Sequence, residues 1–162
     1  MKQLSLRIDY TEHDSTDTLS TADFELLEKA TLACASAYSP YSGFSVGAAL
    51  MLANGKVIIG NNQENSAYPS GLCAERVALF SASANYPGIP IEAIALTATT
   101  GRFVISGPIT PCGSCRQVMA EYENLHGRKI KIIMSSASGK VRIVEGTESL
   151  LPFLFHSNEL KK

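Results

Sequence analysis

Residues 44–60 of this 162-residue chain have the sequence FSVGAALMLANGKVIIG, and this stretch decides the fold class. Its first half is a run of small apolar residues of the kind found in a buried strand. Asn54-Gly55 is a residue pair that favours a two-residue turn between antiparallel strands. The second half returns as the partner strand. The stretch therefore predicts a β-hairpin with strands over residues 44–53 and 56–60.

Helical and strand patterns alternate on both sides of this hairpin. Upstream, Ser20 or Thr21 is expected to cap a helix whose apolar residues recur at helical spacing and turn Cys34 toward the core. Those apolar residues are Phe24, Leu27, Ala30 and Cys34. Downstream, propensity and periodicity predict a loop over 61–72, a helix over 73–84, a strand over 91–98, a loop over 101–111, a helix over 112–122, strands over 130–134 and 141–144, and a short helix after Thr147. This alternation predicts an α/β fold in which helices cover a mixed, roughly five-stranded sheet.

The chain is divided at residue 20. Residues 1–20 are polar after a short apolar alternation, and they predict an N-terminal extension. An edge strand packed on a neighbour is one form that this extension could take. Residues 21–162 contain no internal repeat, low-complexity tract or interdomain linker, so they predict a single domain.

Composition excludes several classes of protein. Apolar residues make up 45% and charged residues 18%, as in ordinary globular proteins. The formal net charge is −1, whereas proteins that follow a nucleic-acid backbone carry clustered Lys and Arg. There is neither the apolar segment of a signal peptide nor an apolar run long enough to span a bilayer. We therefore expect a cytoplasmic protein with reduced thiols, a small-molecule ligand, and no nucleic-acid or membrane partner.

Two cysteine-containing segments predict a metal site. Cys112 and Cys115 have the Cys-x-x-Cys spacing that brings both sulfurs within about 2.3 Å of one Zn²⁺. Cys73 supplies a third thiolate, which leaves one tetrahedral position open, as in catalytic rather than structural zinc sites. Both segments begin predicted helices, whose N-terminal N–H groups stabilise thiolates.

Two residues beside Cys73 have side chains that suit this chemistry. Glu75 lies two positions away, close enough to face a metal-activated water and to pass its proton to a substrate. Arg76 lies one helical turn along and can offset the negative charge of three thiolates. A redox dithiol, or a structural zinc with a fourth ligand from elsewhere in the chain, remains an alternative at this point.

The chain resembles the cytidine deaminase family. The resemblance covers about residues 25–160 and rests on five segments. They are Cys73-Ala74-Glu75-Arg76, Pro111-Cys112-Gly113-Ser114-Cys115-Arg116-Gln117, Tyr41-Ser42-Gly43-Phe44-Ser45-Val46-Gly47-Ala48, Asn62-Gln63-Glu64-Asn65 with Tyr68-Pro69, and Glu148-Ser149-Leu150-Leu151-Pro152. The resemblance implies a three-layer α/β/α catalytic domain over 21–162 and hydrolysis of cytidine and 2′-deoxycytidine to uridine and 2′-deoxyuridine plus ammonia, a step of pyrimidine salvage.

The resemblance also implies roles for particular residues. One Zn²⁺ per subunit would be held by Cys73, Cys112 and Cys115, with Glu75 protonating N3 of the base as water attacks C4. The substrate-binding residues would be Phe44, which stacks on the base, Asn62 and Glu64, which hold the ribose 3′-hydroxyl, Ala74, Tyr68 and Phe155. The short three-cysteine pattern resembles the homotetramers of the family, in which Phe155 and Tyr68 would reach a neighbouring subunit's site.

Other interpretations stay open. Asn62 can be a turn residue, Phe44 a core residue at the start of a strand, and Phe155 an anchor for the tail. The substrate can be another aminated nucleoside, such as a blasticidin-type antibiotic, or a polynucleotide. A non-catalytic, zinc-stabilised binding module is the alternative from a different functional class.

Overall fold

A mixed six-stranded sheet forms the middle layer of the computed structural model, which describes residues 1–156 and residue 160. Its strands are β1 (Thr11–His13), β2 (Phe44–Leu52), β3 (Val57–Asn61), β4 (Ile91–Thr100), β5 (Lys131–Ser135) and β6 (Val141–Glu145). Their order across the sheet is β1-β6-β5-β4-β2-β3. Strands β4 and β5 pair in parallel, whereas the other neighbours pair antiparallel.

Three α-helices cover the two faces of this sheet: α1 (Thr21–Ala33), α2 (Ala74–Asn85) and α3 (Gly113–His126). Helix α1 packs on one face, where its buried residues meet Ala49, Ala95 and Ile133. Helices α2 and α3 pack on the opposite face, against the alternate strand residues Leu50 and Ile94. The predicted three-layer α/β/α architecture is therefore confirmed. Within the described residues, no helix has both the length and the apolar character needed to span a membrane.

The prediction of roughly five strands is one too low. The additional strand is β1, which lies in the N-terminal extension and pairs with β6 of the same chain, with Thr11 opposite Ile143. The sequence offers an edge strand as one form of the extension, but the strand lies at Thr11–His13, beyond the apolar alternation. Its three residues are polar and too few to produce a recognisable pattern, so local sequence does not indicate this position. The division of the chain at residue 20 stays a prediction.

The hairpin predicted over residues 44–60 is confirmed in β2 and β3, but the expected two-residue turn is wrong. Leu52 faces Lys56 and the Gly55 N–H donates to the Leu52 carbonyl, so the loop spans residues 53–55. Gly55 has a φ angle of 79°, which glycine adopts without strain, and the Leu52 N–H donates to the Lys56 carbonyl across the turn. Strand β2 ends one residue earlier than predicted, at Leu52, and β3 begins one residue later, at Val57. Both strands lead away from the turn toward the same end of the sheet.

Helix α1 begins where the sequence indicates, but its buried face is rotated. Ser20 Oγ accepts the Asp23 N–H at 3.2 Å and caps the helix. Cys34 follows the helix and is buried, as predicted. Phe24 is instead exposed, because the buried face consists of Leu26, Leu27, Ala30 and Ala33.

Close packing at Gly60 positions the start of α2 on β3. A Cβ atom at this position would lie 2.5 Å from the Ala74 carbonyl oxygen and 2.6 Å from the Ala78 nitrogen. Only glycine therefore allows the helix to approach the strand this closely. The chain leaves β3 after Asn61 and reaches the start of α2 at Ala74 through the segment over residues 62–73.

Candidate functional site

Three cysteine sulfurs lie together at the starts of α2 and α3. The Sγ atoms of Cys112 and Cys115 are 3.4 Å apart, and those of Cys73 and Cys112 are 3.7 Å apart. All three sulfur atoms lie within 4.8 Å of one another. Sulfurs bound at about 2.3 Å to a tetrahedral Zn²⁺ are separated by about 3.8 Å. The cluster therefore has the donor atoms and the spacing that suit a zinc ion.

The backbone around these cysteines favours negative charge. Cys73 is the N-cap residue of α2 and Cys112 is the N-cap residue of α3, both in extended conformation. The predicted helix starts are thus confirmed to within one residue. Neither cap residue accepts a hydrogen bond from its helix through its side chain. The first N–H groups of α2 and α3 are therefore not used by a capping side chain, and they favour negative charge on the nearby sulfurs.

Arg76 lies beside the cluster. Its Nη2 atom is 3.7 Å from Cys73 Sγ, and this interaction raises the pKa of the guanidinium. The Cys115 thiol hydrogen bond, followed by Arg76, lowers the pKa of Cys73 to about 5. The pKa of Cys115 is raised because its proton is shared with Cys73 and because it is buried. A negative charge is therefore favoured on at least one sulfur even without a metal ion.

Glu75 is a buried carboxyl group at the same end of α2. Its side chain is only 4% exposed, yet it lines the cavity that Cys73 and Cys112 also line. Burial raises the pKa of Glu75, and the neighbouring Cys73 thiolate raises it further. A carboxyl group whose pKa is moved toward neutrality can both accept and donate a proton.

The cavity beside these residues has a volume of about 1160 Å³. On one side are the first residues of α2 and α3, which we call the helix wall: Cys73, Glu75, Arg76 and Cys112. The other lining residues, which we call the loop wall, come from three loops and from the first residue of β2: Tyr41, Ser42, Phe44, Asn62, Glu64, Tyr68 and Phe103. A cavity of this size can enclose a nucleoside-sized molecule.

Asn62 ties the loop wall to the sheet. Its Oδ1 atom accepts the Val46 N–H at 2.8 Å, and its Nδ2 atom donates to the Phe44 carbonyl at 2.9 Å. One N–H and one acceptor position of this amide stay available. Asn62 is thus a structural clamp on the start of β2 that retains capacity for a ligand.

Glu64 holds the loop that precedes β2. Its Oε2 atom accepts the N–H groups of Tyr41 at 2.8 Å and Ser42 at 3.3 Å, while its Oε1 atom accepts the Ser42 hydroxyl. The Ser42 hydrogen bond is the main reason that the pKa of Glu64 is lowered. The carboxylate therefore stays ionised at neutral pH and fixes the backbone beside Phe44.

Aromatic side chains cover much of the loop wall. The rings of Phe44 and Phe103 are nearly parallel, with their centroids 6.0 Å apart and an interplanar angle of 10°. The Tyr68 ring meets the Tyr41 ring edge to face at 6.0 Å. Flat aromatic faces inside a cavity favour a flat ligand.

Two predicted substrate-binding residues do not line this cavity in the described residues. Ala74 has its side chain fully buried in the core between α2 and the sheet. Phe155 lies beside α3, where its carbonyl accepts the Gln117 Nε2–H at 2.9 Å, and Phe155 is 53% exposed. The prediction that it serves a neighbouring subunit stays a prediction.

Sequence reasoning assigned no role to Ser42, Arg102 or Phe103. Ser42 stands in a quoted motif, but its contact with Glu64 joins residues far apart in sequence. Phe103 is an aromatic residue in a loop that contains Gly101, Gly107, Pro108 and Pro111, a composition that favours an exposed position for its ring. Its position opposite Phe44 depends on the tertiary fold, which local sequence does not specify.

Comparison with known proteins agrees with this geometry. The family described as the cytidine and deoxycytidylate deaminase zinc-binding region matches residues 20–128. A cytidine deaminase from Halalkalibacterium halodurans is 41% identical over 135 residues, which covers 83% of this chain and 95% of the relative. One from Sporosarcina psychrophila is 39% identical over 125 residues, covering 76% of this chain and 84% of the relative.

Solved structures show the same fold. The crystal structure of cytidine deaminase from Burkholderia pseudomallei aligns with a TM-score of 0.71 and 42% identity, covering 85% of this chain and 100% of that one. That from Mycobacterium tuberculosis aligns with a TM-score of 0.62 and 30% identity, covering 82% and 95%. With the family match spanning both cysteine segments and relatives aligned over most of their length, the chain belongs to the cytidine deaminase family of enzymes.

Proposed function

We propose that this enzyme hydrolyses cytidine and 2′-deoxycytidine to uridine and 2′-deoxyuridine, with release of ammonia, using one zinc ion per subunit. The observation that carries the proposal is a three-sulfur cluster beside a buried carboxyl group. Cys73, Cys112 and Glu75 line one cavity, and the sulfur of buried Cys115 lies within 4.8 Å of the other two sulfurs. Three thiolates leave one tetrahedral position open, which is typical of catalytic zinc. The reaction would serve pyrimidine salvage.

Cys73, Cys112 and Cys115 would hold the zinc ion. When bound, zinc supplies a nucleophile at neutral pH by lowering the pKa of a water molecule. Arg76, with its Nη2 atom 3.7 Å from Cys73 Sγ, offsets part of the charge of the three thiolates. Less negative charge on the cluster favours ionisation of the water.

Glu75 would move the protons. Its raised pKa lets the carboxylate take a proton from the attacking water and place it on N3 of the cytosine ring. A second proton passed through the same carboxyl group converts the amino group on C4 into ammonia. The exchange consumes one water, replaces the amino group by a carbonyl oxygen and regenerates Glu75.

The loop wall would bind the nucleoside. Phe44 offers a ring face to the base, and the free N–H of Asn62 with the remaining acceptor position of Glu64 suit the ribose 3′-hydroxyl. Contact at the 3′ rather than the 2′ position supports acceptance of both ribose and deoxyribose. Ala74 would contact substrate through its backbone at the start of α2, because its side chain is buried.

Assembly would complete the site. We propose a homotetramer in which Phe155 and Tyr68 reach a neighbouring subunit, supported by the large exposed fraction of both side chains. A free nucleoside, rather than a nucleic acid, is the proposed partner, since the formal net charge is −1. A reducing cytoplasm would keep the three ligand thiols available for zinc.

The test is the loss of ultraviolet absorbance when purified enzyme meets cytidine, with and without prior removal of zinc by a chelator. Conversion to uridine that is lost on chelation and regained with added Zn²⁺ is the expected result. Parallel assays with 2′-deoxycytidine, cytosine base and a blasticidin-type nucleoside define the substrate class. A folded, zinc-loaded enzyme that leaves both cytidine and 2′-deoxycytidine unchanged would contradict the proposal.

A further inference from the structure

Cys112 is the least buried of the three clustered cysteines. It is exposed, whereas Cys73 is half-buried and Cys115 is fully buried within α3. Cys112 also stands at the N-cap position, where the loop over residues 101–111 joins α3. Packing in the core therefore fixes the sulfur of Cys115, but it does not fix that of Cys112.

The side chain of Arg116 holds the peptide group that leads into Cys112. Arg116 lies in the first turn of α3, and its Nε–H donates to the Pro111 carbonyl at 2.7 Å. Pro111 is buried and precedes the N-cap, so its carbonyl lies outside the hydrogen-bond ladder of the helix and needs another partner. Because a peptide group is planar, a bond to the Pro111 carbonyl also orients the nitrogen of Cys112.

The same guanidinium is attached to the C-terminal segment. Its Nη1–H donates to the Leu150 carbonyl at 2.6 Å. The N–H groups of a planar guanidinium point in fixed directions, so the two carbonyl groups are held at a set spacing. The Leu150 side chain packs against the hydrophobic core beside α2 and α3. Arg116 thus connects the peptide before Cys112 to a point that the core keeps in place.

Glu123 fastens the same segment to α3 independently. It lies two helical turns after Arg116, and its carboxylate accepts the Thr147 N–H at 3.1 Å and the Thr147 hydroxyl. It also accepts the Ile130 N–H at 2.7 Å. These partners belong to the far end of α3 rather than to the start that carries Cys112. Loss of Arg116 therefore leaves the segment attached, while the peptide before Cys112 loses its support.

We propose that Arg116 is a positioning residue for the zinc ligand Cys112. This proposal rests on the proposed function, because it assumes a zinc ion at the three sulfurs. The role differs from that of Arg76, whose Nη2 atom lies 3.7 Å from Cys73 Sγ and offsets charge. Arg116 instead donates to two carbonyl oxygens and acts on the metal site through the backbone of Cys112.

The first test measures zinc affinity by competition with a chromogenic chelator for the wild type, Arg116→Met and Arg116→Lys. Methionine keeps an apolar stem but loses both donors, so zinc affinity should fall by about 10- to 100-fold. Lysine keeps the charge but cannot reproduce the two fixed directions of the guanidinium, so its affinity should be intermediate. Full recovery with lysine would show that charge alone is sufficient and would overturn the proposal.

Glu123→Gln is the matched control. It weakens the other attachment of the same segment to the same helix, so Tm should fall as it does for Arg116→Met, while zinc affinity should stay at the wild-type value. A lower Tm with wild-type zinc affinity in Arg116→Met would limit Arg116 to supporting the fold. An equal loss of zinc affinity in Glu123→Gln would assign the effect to the whole segment, and the proposal would fail.

The second test replaces zinc by Co²⁺ and records the visible absorption spectrum, which depends on the geometry of the ligands. The bands should shift in Arg116→Met, because the sulfur of Cys112 is no longer held in place. Those of Glu123→Gln should match the wild type. A wild-type spectrum for cobalt-loaded Arg116→Met would overturn the proposal, whatever its stability.

Kinetics with cytidine separate this role from substrate binding. Within the described residues Arg116 does not line the cavity, so Arg116→Met should lower kcat by about 10- to 100-fold and leave KM close to the wild-type value. A higher KM at unchanged kcat would contradict the proposal. A wild-type protein that binds zinc but does not deaminate cytidine would refute the proposed reaction, and the zinc affinities would still decide the role of Arg116. A wild-type protein that binds no zinc would overturn both.

Discussion

The helix wall and the loop wall of the cavity are built in different ways. The helix wall consists of the first residues of two helices, whose next turns are anchored in the hydrophobic core through Ala78, Leu79 and Met119. Phe44, at the start of β2, attaches the loop wall to the sheet opposite Thr100. The loops themselves are held by hydrogen bonds between backbone atoms and the side chains of Asn62, Glu64 and Arg102. Each such bond contributes about 1 kcal/mol, whereas burial of one large apolar side chain contributes about 2–3 kcal/mol.

This difference separates the proposed chemistry from the proposed recognition. A rigid helix wall suits metal ligands and a proton carrier, whose geometry must hold within fractions of an ångström. A loop wall joined by individual hydrogen bonds can adjust to the ligand that it encloses. We therefore expect changes in the helix wall to affect kcat or metal content, and changes in the loop wall to affect mainly KM.

The largest effect is expected for Cys112→Ala. Loss of a zinc ligand should reduce bound zinc well below one ion per subunit. It should also lower kcat/KM by more than about a hundredfold, because loss of a residue that only supports a ligand already costs about 10- to 100-fold. Elemental analysis of the purified protein and the cytidine assay measure both quantities. Cys34→Ala is the matched control, because Cys34 is buried away from the cluster and should leave the zinc content intact.

Glu75→Gln should have the next largest effect. The amide keeps the shape of the side chain but cannot carry the proton, so kcat should fall by about 10²- to 10⁴-fold. Zinc content and thermal unfolding should stay close to those of the wild type. Retention of full turnover by this variant would remove Glu75 from the mechanism. It would also contradict the expectation that changes in the helix wall lower kcat.

A moderate effect is expected for Asn62→Ala. The variant loses both hydrogen bonds to the start of β2 and should destabilise the fold by about 1–3 kcal/mol. Its KM for cytidine should rise about tenfold while zinc content is retained, because the change is confined to the loop wall. Chemical denaturation and kinetics measure the two effects. Asn54→Ala removes a side-chain contact to backbone in the distant hairpin turn and should leave KM unchanged.

The smallest effect concerns the pH dependence of stability through Glu64. Its pKa in the folded protein is lowered, mainly by Ser42, so its stabilising contribution is present above the ordinary glutamate pKa. That contribution is lost as pH falls through the lowered folded value. Ser42→Ala should lower Tm slightly near pH 7, and the difference from the wild type should shrink below about pH 4. A difference in Tm that is constant with pH would contradict this role for Glu64.

The sequence predicts the helix wall better than the loop wall, and the physical reason is locality. Cys73 and Cys112 stand where short-range signals coincide, namely helix-forming segments, their N-termini and a ligand spacing. The stacking of Phe103 on Phe44 and the contact of Arg102 with Tyr41 join residues about 60 positions apart in the chain. Such contacts depend on strand pairing between β2 and β4, which no local pattern encodes.

The fold shows the same division. The three helices and the hairpin follow from periodicity, capping and turn residues, and the structure confirms them. The buried face of α1 differs because helical spacing alone permits neighbouring faces, and packing on Ala49 and Ala95 selects the one without Phe24. An edge strand in residues 1–20 can be anticipated from the sequence but its position cannot, because three polar residues become a strand only when β6 offers them a partner.

Strand β1 also has a consequence for the behaviour of the protein at high concentration. An uncovered outer strand presents a row of free N–H and C=O groups on which another chain can add a strand, a common beginning of aggregation. Here β6 is covered by three residues that include Glu12, whose carboxylate pairs with Arg142 at 2.6 Å. A short, charged outermost strand is a poor template for further strand addition. With β1 in place, this border of the sheet is a poorer site for strand addition than a bare β6 would be.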